Sequence, residues 1–307
     1  MVHGLVSIVR EEKNDYGAEL LDLRNDFVFK AFFADVRNNG LLLQFLKAIL
    51  GEMISSVNLT DPTIEIAHAE DKSSVMDLRV VTNHGEQINV EMQYQGHKAF
   101  PERMLMYWAK MYSSQDEVQK SYRELKKANQ IVIVNFKLLP KSHFHSMFQL
   151  MDLEDRTIFS SHLEMHVLEL PKLQVESMID MNDLEKWLLF MTSDKKTKEA
   201  LAVESSTLKE ALSQIERLSQ NPETRRMAIS REIQLKDQLQ REEDAEFRGI
   251  EQGIEKGKVV GREEGAHLRD REIVLNMYAE NLPAESIAQL TKIPLGEVKG
   301  IIESIVQ

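Results

Sequence analysis

The fold is decided by two strand-like runs and the turn between them: SVMDLRVVT (residues 74–82), Asn83-His84-Gly85, and QINVEMQ (residues 87–93). A three-residue loop ending in glycine, which adopts positive φ at little cost, is a common way to close a hairpin. If Thr82 pairs with Glu86, the register places Asp77 directly opposite Glu91. Side chains directly opposite each other share a face, with Cβ atoms about 4.5–5.5 Å apart.

Strand alternation divides the second run into a polar face and an apolar face. The polar set is Asn89, Glu91 and Gln93, and the apolar set is Ile88, Val90 and Met92. Two carboxylates as close as Asp77 and Glu91 repel each other unless something neutralises them. A divalent cation is the usual neutraliser, and hard oxygen ligands suit Mg²⁺, Mn²⁺ or Ca²⁺. On pattern alone, the hairpin predicts either a divalent metal site at Asp77 and Glu91 or two solvated strand residues on an exposed face.

The spacing of an Asp, a short turn and then Glu-x-Gln resembles the PD-(D/E)XK nuclease core, in which the last position is normally Lys. Three longer segments resemble the Rpn family of recombination-promoting nucleases or putative transposases: residues 21–33, 89–93 and 103–112. A glycine-every-fourth segment and a helical tail late in the chain also fit that family. The likeness covers nearly the whole chain and is strongest over residues 21–140.

The resemblance implies a metal-dependent DNA endonuclease linked to recombination, mobile elements or phage defence. Asp77 and Glu91 carry over as metal ligands, and Gln93 stands where the superfamily has Lys. Asp26 is a candidate for the extra acidic residue that such nucleases often draw from an N-terminal helix, and equally for an N-cap or a salt-bridge residue. Gln can only form hydrogen bonds, so more of the charge stabilisation would fall to the metal.

Further candidate residues flank this motif. The backbone carbonyl of Met92 is a candidate metal ligand beside Glu91. Arg103 and Tyr107 lie four positions apart, on one face of a predicted helix. They can contact the scissile phosphate, or Tyr107 can pack on the sheet while Arg103 stays in solvent.

The composition excludes several classes of protein. The chain has no cysteine, which rules out disulfides, zinc ribbons and thiol catalysis. No apolar run approaches the roughly 20 residues that span a bilayer, so no membrane association is expected. The first ten residues lack the apolar core of a signal peptide, and we expect a cytoplasmic protein.

The formal net charge of −12 argues against broad, non-specific adhesion to DNA. A local basic cluster is nevertheless present between the predicted helix and the strand that follows it: Lys120, Arg123, Lys126 and Lys127. It is interpreted either as a solvated helix face or as a DNA contact.

The order helix, strands, helix, strand predicts an α/β fold of PD-(D/E)XK type, a restriction-endonuclease-like mixed sheet flanked by helices, followed by an all-α C-terminal region. The helices are predicted at about 22–37, 40–49, 101–115, 182–191 and 201–218, and the strands at 63–69, 74–82, 87–93, 130–136 and 161–170. The predicted division is an arm (1–20), a nuclease domain (21–180), a helical region (181–248), a glycine segment (249–266) and a helical pair (267–307).

The glycine segment carries glycine at every fourth position from Gly249 to Gly265. Each glycine costs a helix interior about 1 kcal/mol relative to alanine. The segment is either a stripe along which two helices approach closely in a homodimer or a flexible hinge. The tail has a helix-turn-helix-like sequence, "AESIAQLT" (284–291), but offers only Lys292 and Lys299 for a DNA groove, and a helical pair for dimerisation is favoured.

The predicted function is metal-dependent hydrolysis of DNA by a homodimer paired through its C-terminal helices. The alternative from another class is a non-catalytic DNA-binding or regulatory dimer on the same fold. Glutamine at position 93 and the acidic charge motivate that alternative, whereas two facing carboxylates count against it.

Overall fold

The computed structural model describes residues 19–60, 78–96, 99–115, 121–175, 177–178 and 180–306. The chain divides into two compact units, residues 1–233 and 234–307, and each is considered by itself. Predictions that fall on residues 1–18 or 61–77, including the strand at 63–69 and Asp77, lie outside the described residues, as does Lys120.

In the described part of the chain, two helices, three strands, a third helix and three more strands lead up to residue 169, and helices alone follow. The strands are β1 (Val57–Thr60), β2 (Leu78–Thr82), β3 (Gln87–Gln93), β4 (Ala128–Val134), β5 (His145–Met151) and β6 (Ile158–Glu169). The first helices are α1 (Asp26–Phe33), α2 (Asn39–Leu50) and α3 (Phe100–Ser113). The later helices are α4 (Asp183–Thr192), α5 (Lys195–Glu204), α6 (Ser206–Gln220), α7 (Pro222–Ala279), α8 (Ala284–Thr291) and α9 (Leu295–Val306).

The strands form one mixed sheet in the order β1-β2-β3-β4-β6-β5. Strands β3, β4 and β6 run parallel, and the other neighbouring strands pair antiparallel. Every residue of β4 is buried, as expected for a central parallel strand covered on both faces. The predicted mixed sheet flanked by helices is confirmed.

One face of the sheet carries the main core. Side chains of α1, α2, α4 and α6 pack there against Ile88, Val90 and Met92 of β3. Phe33 stacks on Phe45 with ring centroids 5.2 Å apart, and both rings contact Trp187. Helix α3 covers the opposite face, where Met104 packs with residues of β4 and β6.

The N-terminal segment is fastened to residues about 200 positions later in the chain. The backbone N–H of Leu21 donates to Ser219 Oγ (2.9 Å), and Asn25 Nδ2 donates to the carbonyl of Ala228 (3.1 Å). Arg225 Nη2 donates to the carbonyl of Glu19 (2.7 Å). Asn25 also caps α1, since its side chain accepts from the first-turn N–H groups of that helix.

Several boundaries differ from the prediction. The helix predicted at 201–218 is two helices, because Ser205 ends α5 and then caps α6 by accepting from the N–H of Leu208. The strand predicted at 130–136 begins and ends two residues earlier, as β4. Strands β1 and β5 were missed; β5 is an edge strand whose side chains do not alternate between buried and exposed.

In the second unit, the end of α7 packs with α8 and α9 around Val274, Ile287 and Val298. The predicted glycine segment lies within helix α7. A Cβ atom added at any of its five glycines would meet nothing within 4 Å. In the parts of the chain that the structure describes, no helix is both long and apolar enough to cross a membrane.

Candidate active site on strand β3

The β2–β3 hairpin has the predicted register. The N–H of Thr82 donates to the carbonyl of Glu86 (3.0 Å), and Gly85 closes the turn with φ +80°. The described pairs run from Val81 with Gln87 to Leu78 with Val90, and the positions in each pair add up to 168. Asp77 would be the next residue of this ladder but lies outside the described residues, so its pairing with Glu91 stays a prediction.

The polar face of β3 points toward α3, and the residues on it are those that the alternation predicts. Glu91 and Asn89 are almost fully buried, with 2% and 0% of their surfaces exposed. Asn89 Nδ2 donates to Glu91 Oε1 (2.8 Å) and to Gln130 Oε1 (3.2 Å). Gln130 Nε2 in turn contacts the sulfur of Met104 on α3 (3.8 Å). A buried carboxylate is thus held by the Asn89 amide, which also bonds to Gln130.

Gln93 and Arg103 meet at the end of this row. Arg103 Nη2 donates to Gln93 Oε1 (2.9 Å). The Arg103 guanidinium lies 5.2 Å from the ring centroid of Phe100 and 5.8 Å from that of Tyr107. The structure therefore brings three of the predicted residues, Gln93, Arg103 and Tyr107, to the same face of the sheet as Glu91.

Asp26 is placed differently. It lies in the first turn of α1, whose buried side chains pack on the apolar face of the sheet. Its carboxylate accepts from Arg231 Nε at 2.8 and 2.9 Å and also from Arg231 Nη2. Among the described residues no hydrogen bond or ion pair joins Asp26 to Glu91. The structure thus shows Asp26 in an ion pair with Arg231, and its catalytic role stays a prediction.

The described residues supply hard oxygen donors suited to a divalent cation. The Glu91 carboxylate is one donor. Asn89 Oδ1 is a second candidate, because it is buried and accepts no hydrogen bond in the described part of the chain. No group of three or more His, Asp or Glu side chains suited to a metal occurs among the described residues, a set that omits Asp77. The side chain of Met92 packs in the core, so only its backbone carbonyl is a candidate ligand.

Two neighbours of Glu91 were not picked out as functional residues by the sequence analysis. Asn89 was assigned to the correct face but given no role. Gln130 and the preceding Asn129 are amides at the start of β4, ahead of its apolar run, and that departure from the pattern was the available signal. Asn89 holds the Glu91 carboxylate directly, and Gln130 accepts from the same Asn89 amide.

A mixed sheet flanked by helices, with a buried carboxylate on the second strand of a hairpin, defines a PD-(D/E)XK-type domain. The chain belongs to the PD-(D/E)XK nuclease family transposases, whose family model matches residues 23–245. The expected family and fold class are confirmed by this match. Neither a curated protein nor a solved structure matches the chain.

Proposed function

We propose that this protein is a metal-dependent endonuclease that hydrolyses phosphodiester bonds of DNA, in recombination, mobile-element activity or phage defence. The observation that carries the proposal is the buried Glu91 carboxylate, held by Asn89 on the strand that also bears Gln93. Burying a carboxylate is costly, and a sheet that served only as a scaffold would be better stabilised by an apolar side chain there. Membership of the nuclease family agrees with this use of Glu91.

Glu91, Asp77, the carbonyl of Met92 and Asn89 Oδ1 are the proposed ligands of a divalent cation, Mg²⁺ or Mn²⁺ by preference. Oxygen ligands of this kind suit those cations. When bound, the cation supplies Lewis acidity, which lowers the pKa of a water and stabilises charge on the phosphate. Through its 2.8 Å hydrogen bond, Asn89 keeps the Glu91 carboxylate oriented toward the bound cation.

Gln93 is proposed to position the attacking water or a phosphate oxygen. The carbonyl oxygen of Gln93 accepts from Arg103. This leaves the NH₂ group of Gln93 to bind the water or the phosphate. An NH₂ group donates hydrogen bonds and does not take up a proton. Gln93 therefore orients its partner, and proton removal falls to another group.

Arg103 is proposed to hold the scissile phosphate. Guanidinium groups bind phosphate oxygens through two parallel N–H donors and stay charged at any working pH. The rings of Phe100 and Tyr107 lie within about 6 Å and restrict the side chain. The bound phosphate would then lie beside Gln93 and Glu91.

A homodimer through the C-terminal helices would address both strands of a duplex. One face of α7 carries Phe247, Ile250 and Ile254, all more than half exposed. Their spacing of three and four residues is that of a coiled-coil seam. Gly257, Gly261 and Leu268 continue the same face, where the small residues permit a close approach of two helices.

The test is nicking and linearisation of a supercoiled plasmid with Mg²⁺, Mn²⁺ or Ca²⁺. We expect Glu91→Gln and Asp77→Asn to reduce cutting more than about a hundred-fold. Glu86→Gln is the matched control, since it removes a half-exposed carboxylate from the turn of the same hairpin and should cut normally. Circular dichroism and Tm establish that each variant is folded.

A second readout separates the enzyme from a non-catalytic protein on the same fold. Mn²⁺ at about one hundred times its Kd should stabilise the wild-type protein by about 2.7 kcal/mol and leave Glu91→Gln unaffected. Cutting that persists in both active-site variants would contradict the assigned residues. Neither cutting nor metal stabilisation would favour the non-catalytic DNA-binding alternative.

A further inference from the structure

A second polar cleft lies on the same face of the sheet, between the β2–β3 hairpin and the C-terminal end of α3. Its volume is about 650 Å³, and its charged lining residues are Arg79, Arg123, Lys126 and Glu124. The described lining thus holds three cations and one carboxylate, in a chain whose formal net charge is −12. A local excess of positive charge on an acidic protein indicates an anionic ligand.

Arg79 is the most informative of these residues because its hydrogen-bond partners among the described residues are all neutral. Its Nη2 donates to Gln87 Oε1 (2.8 Å) and to Ser114 Oγ (2.8 Å). Its Nε is buried and has no hydrogen-bond partner among the described residues. In the same set of residues no carboxylate forms an ion pair with Arg79, and burial lowers the pKa of its guanidinium.

A half-buried cation without a counter-ion is costly, and an anion in the cleft would remove that cost. Arg123 and Lys126 are exposed and can close on the same anion from the solvent side. The stem of Lys126 lies against the hairpin turn, where a Cβ added to Gly85 would be 3.5 Å from Lys126 Cγ. Arg79 from the strand side and Arg123 and Lys126 from the solvent side therefore surround the same cleft.

The position of the cleft relative to Glu91 suggests which anion it takes. Arg79 pairs with Asn89 in the β2–β3 ladder, and Gln87 precedes Glu91 by four residues on the same face. Four residues of strand span about 13 Å. Phosphates recur at about 3.4 Å per nucleotide along the axis of a DNA strand. A polynucleotide can reach both places, whereas a single small anion cannot.

We propose that the cleft of Arg79, Arg123 and Lys126 is a second phosphate site, which holds a backbone phosphate of the nucleic acid about four nucleotides from the bond near Glu91. The identity of the ligand rests on the proposed function. The site would fix the direction and register of the strand, because two anchored phosphates determine how the backbone crosses the polar face. The distance of about 13 Å between the two places matches about four nucleotides, which is why nucleic acid is the proposed partner.

The test measures binding rather than cutting. The full chain carrying Glu91→Gln binds a fluorescently labelled 24-base-pair duplex, followed by anisotropy at several salt concentrations. We expect Arg79→Gln, Arg123→Gln and Lys126→Gln each to weaken binding about five-fold and to reduce the salt slope by about one. Arg79→Lys should keep most of the affinity. Arg37→Gln is the matched control, an exposed cation paired with Asp35, and should bind like its parent.

The exposed positions Arg123 and Lys126 keep the test decisive if Arg79→Gln folds poorly. Unchanged affinity and salt slope in the Arg123→Gln and Lys126→Gln variants would overturn the proposal, even if the wild-type protein cuts DNA in a Glu91-dependent way. Binding that depends on these residues in a protein that never cuts would uphold the site and reject the nuclease. Tripolyphosphate serves as the free-anion probe. Complete displacement of the duplex by saturating tripolyphosphate, together with an affinity that does not rise with duplex length, would overturn the assignment to nucleic acid.

Discussion

Arg103 on helix α3 donates from Nη2 to Oε1 of Gln93 on strand β3 over 2.9 Å. A helix residue thereby fixes the strand residue at the position where the superfamily normally has lysine. The cation that lysine would supply from the strand is supplied here from the helix, one hydrogen bond away. Glutamine at position 93 is accordingly compatible with a charged site.

A lysine at position 93 should therefore destabilise this protein. The ammonium of Gln93→Lys would lie against the Arg103 guanidinium, and we expect a loss of about 1–2 kcal/mol in the free energy of unfolding. Adding Arg103→Gln should recover most of that loss. Urea denaturation of the two single variants and the double variant measures the coupling. A Gln93→Lys protein as stable as the parent would show that the two side chains are not coupled.

Asp26 and Arg231 should behave as a structural pair. Both side chains are partly exposed, so we expect Asp26→Asn and Arg231→Gln each to cost about 1 kcal/mol of stability, with little further loss in the double variant. Urea midpoints measure this. Plasmid cutting distinguishes a catalytic role of Asp26 from a purely structural one. If Asp26 acts in catalysis, Asp26→Asn abolishes cutting while Arg231→Gln preserves it.

A histidine chain on β5 and β6 should make stability fall with acid. Glu164 Oε1 lies 3.0 Å from His166 Nε2, and a carboxylate only accepts, so that nitrogen carries the proton. When the His166 ring is neutral, its Nδ1 accepts from His145 Nε2 over 2.8 Å. Burial, with smaller contributions from neighbouring histidines, lowers the pKa of His145 from 6.5 to about 4.

The sign of the pH effect follows from that pKa. The unfolded chain takes up the His145 proton near pH 6.5 and the folded protein only near pH 4, so stability is full above pH 6.5 and falls toward pH 4. After solvent screening we expect a loss of about 1–2 kcal/mol. Urea midpoints at pH 7 and pH 5 test it. His145→Gln should reduce this dependence, and the exposed His267→Gln should not.

The exposed seam of α7 should hold two copies together. We expect the wild-type protein to sediment as a dimer and Ile254→Glu to sediment as a monomer, because a charge would enter the apolar contact. Val259→Glu is the matched control: its side chain is similarly exposed but lies about 140° around the helix. Equal masses for both variants would exclude this face as the dimer contact.

The parts of the fold that were predicted from sequence depend on neighbouring residues. The hairpin register follows from the turn chemistry at Gly85 and from alternation along β3, both of which are local. The contacts of Arg79 with Ser114 and of Asp26 with Arg231 span 35 and 205 positions and have no local signature. Strand β5 was missed because its pairing depends on β6 and its side chains do not alternate.

The hydrogen bonds from Leu21 and Asn25 to Ser219 and Ala228 also bear on synthesis. A ribosome adds about 5–20 residues per second, so the partners emerge about 10–40 seconds after the N-terminal segment. During that interval α1 cannot be fastened over the first strands, and apolar surface stays open to chaperones or to misassembly. A chain interrupted before residue 228 lacks the Ala228 carbonyl that accepts from Asn25, so the proposed active site is fully supported only once that residue has been made.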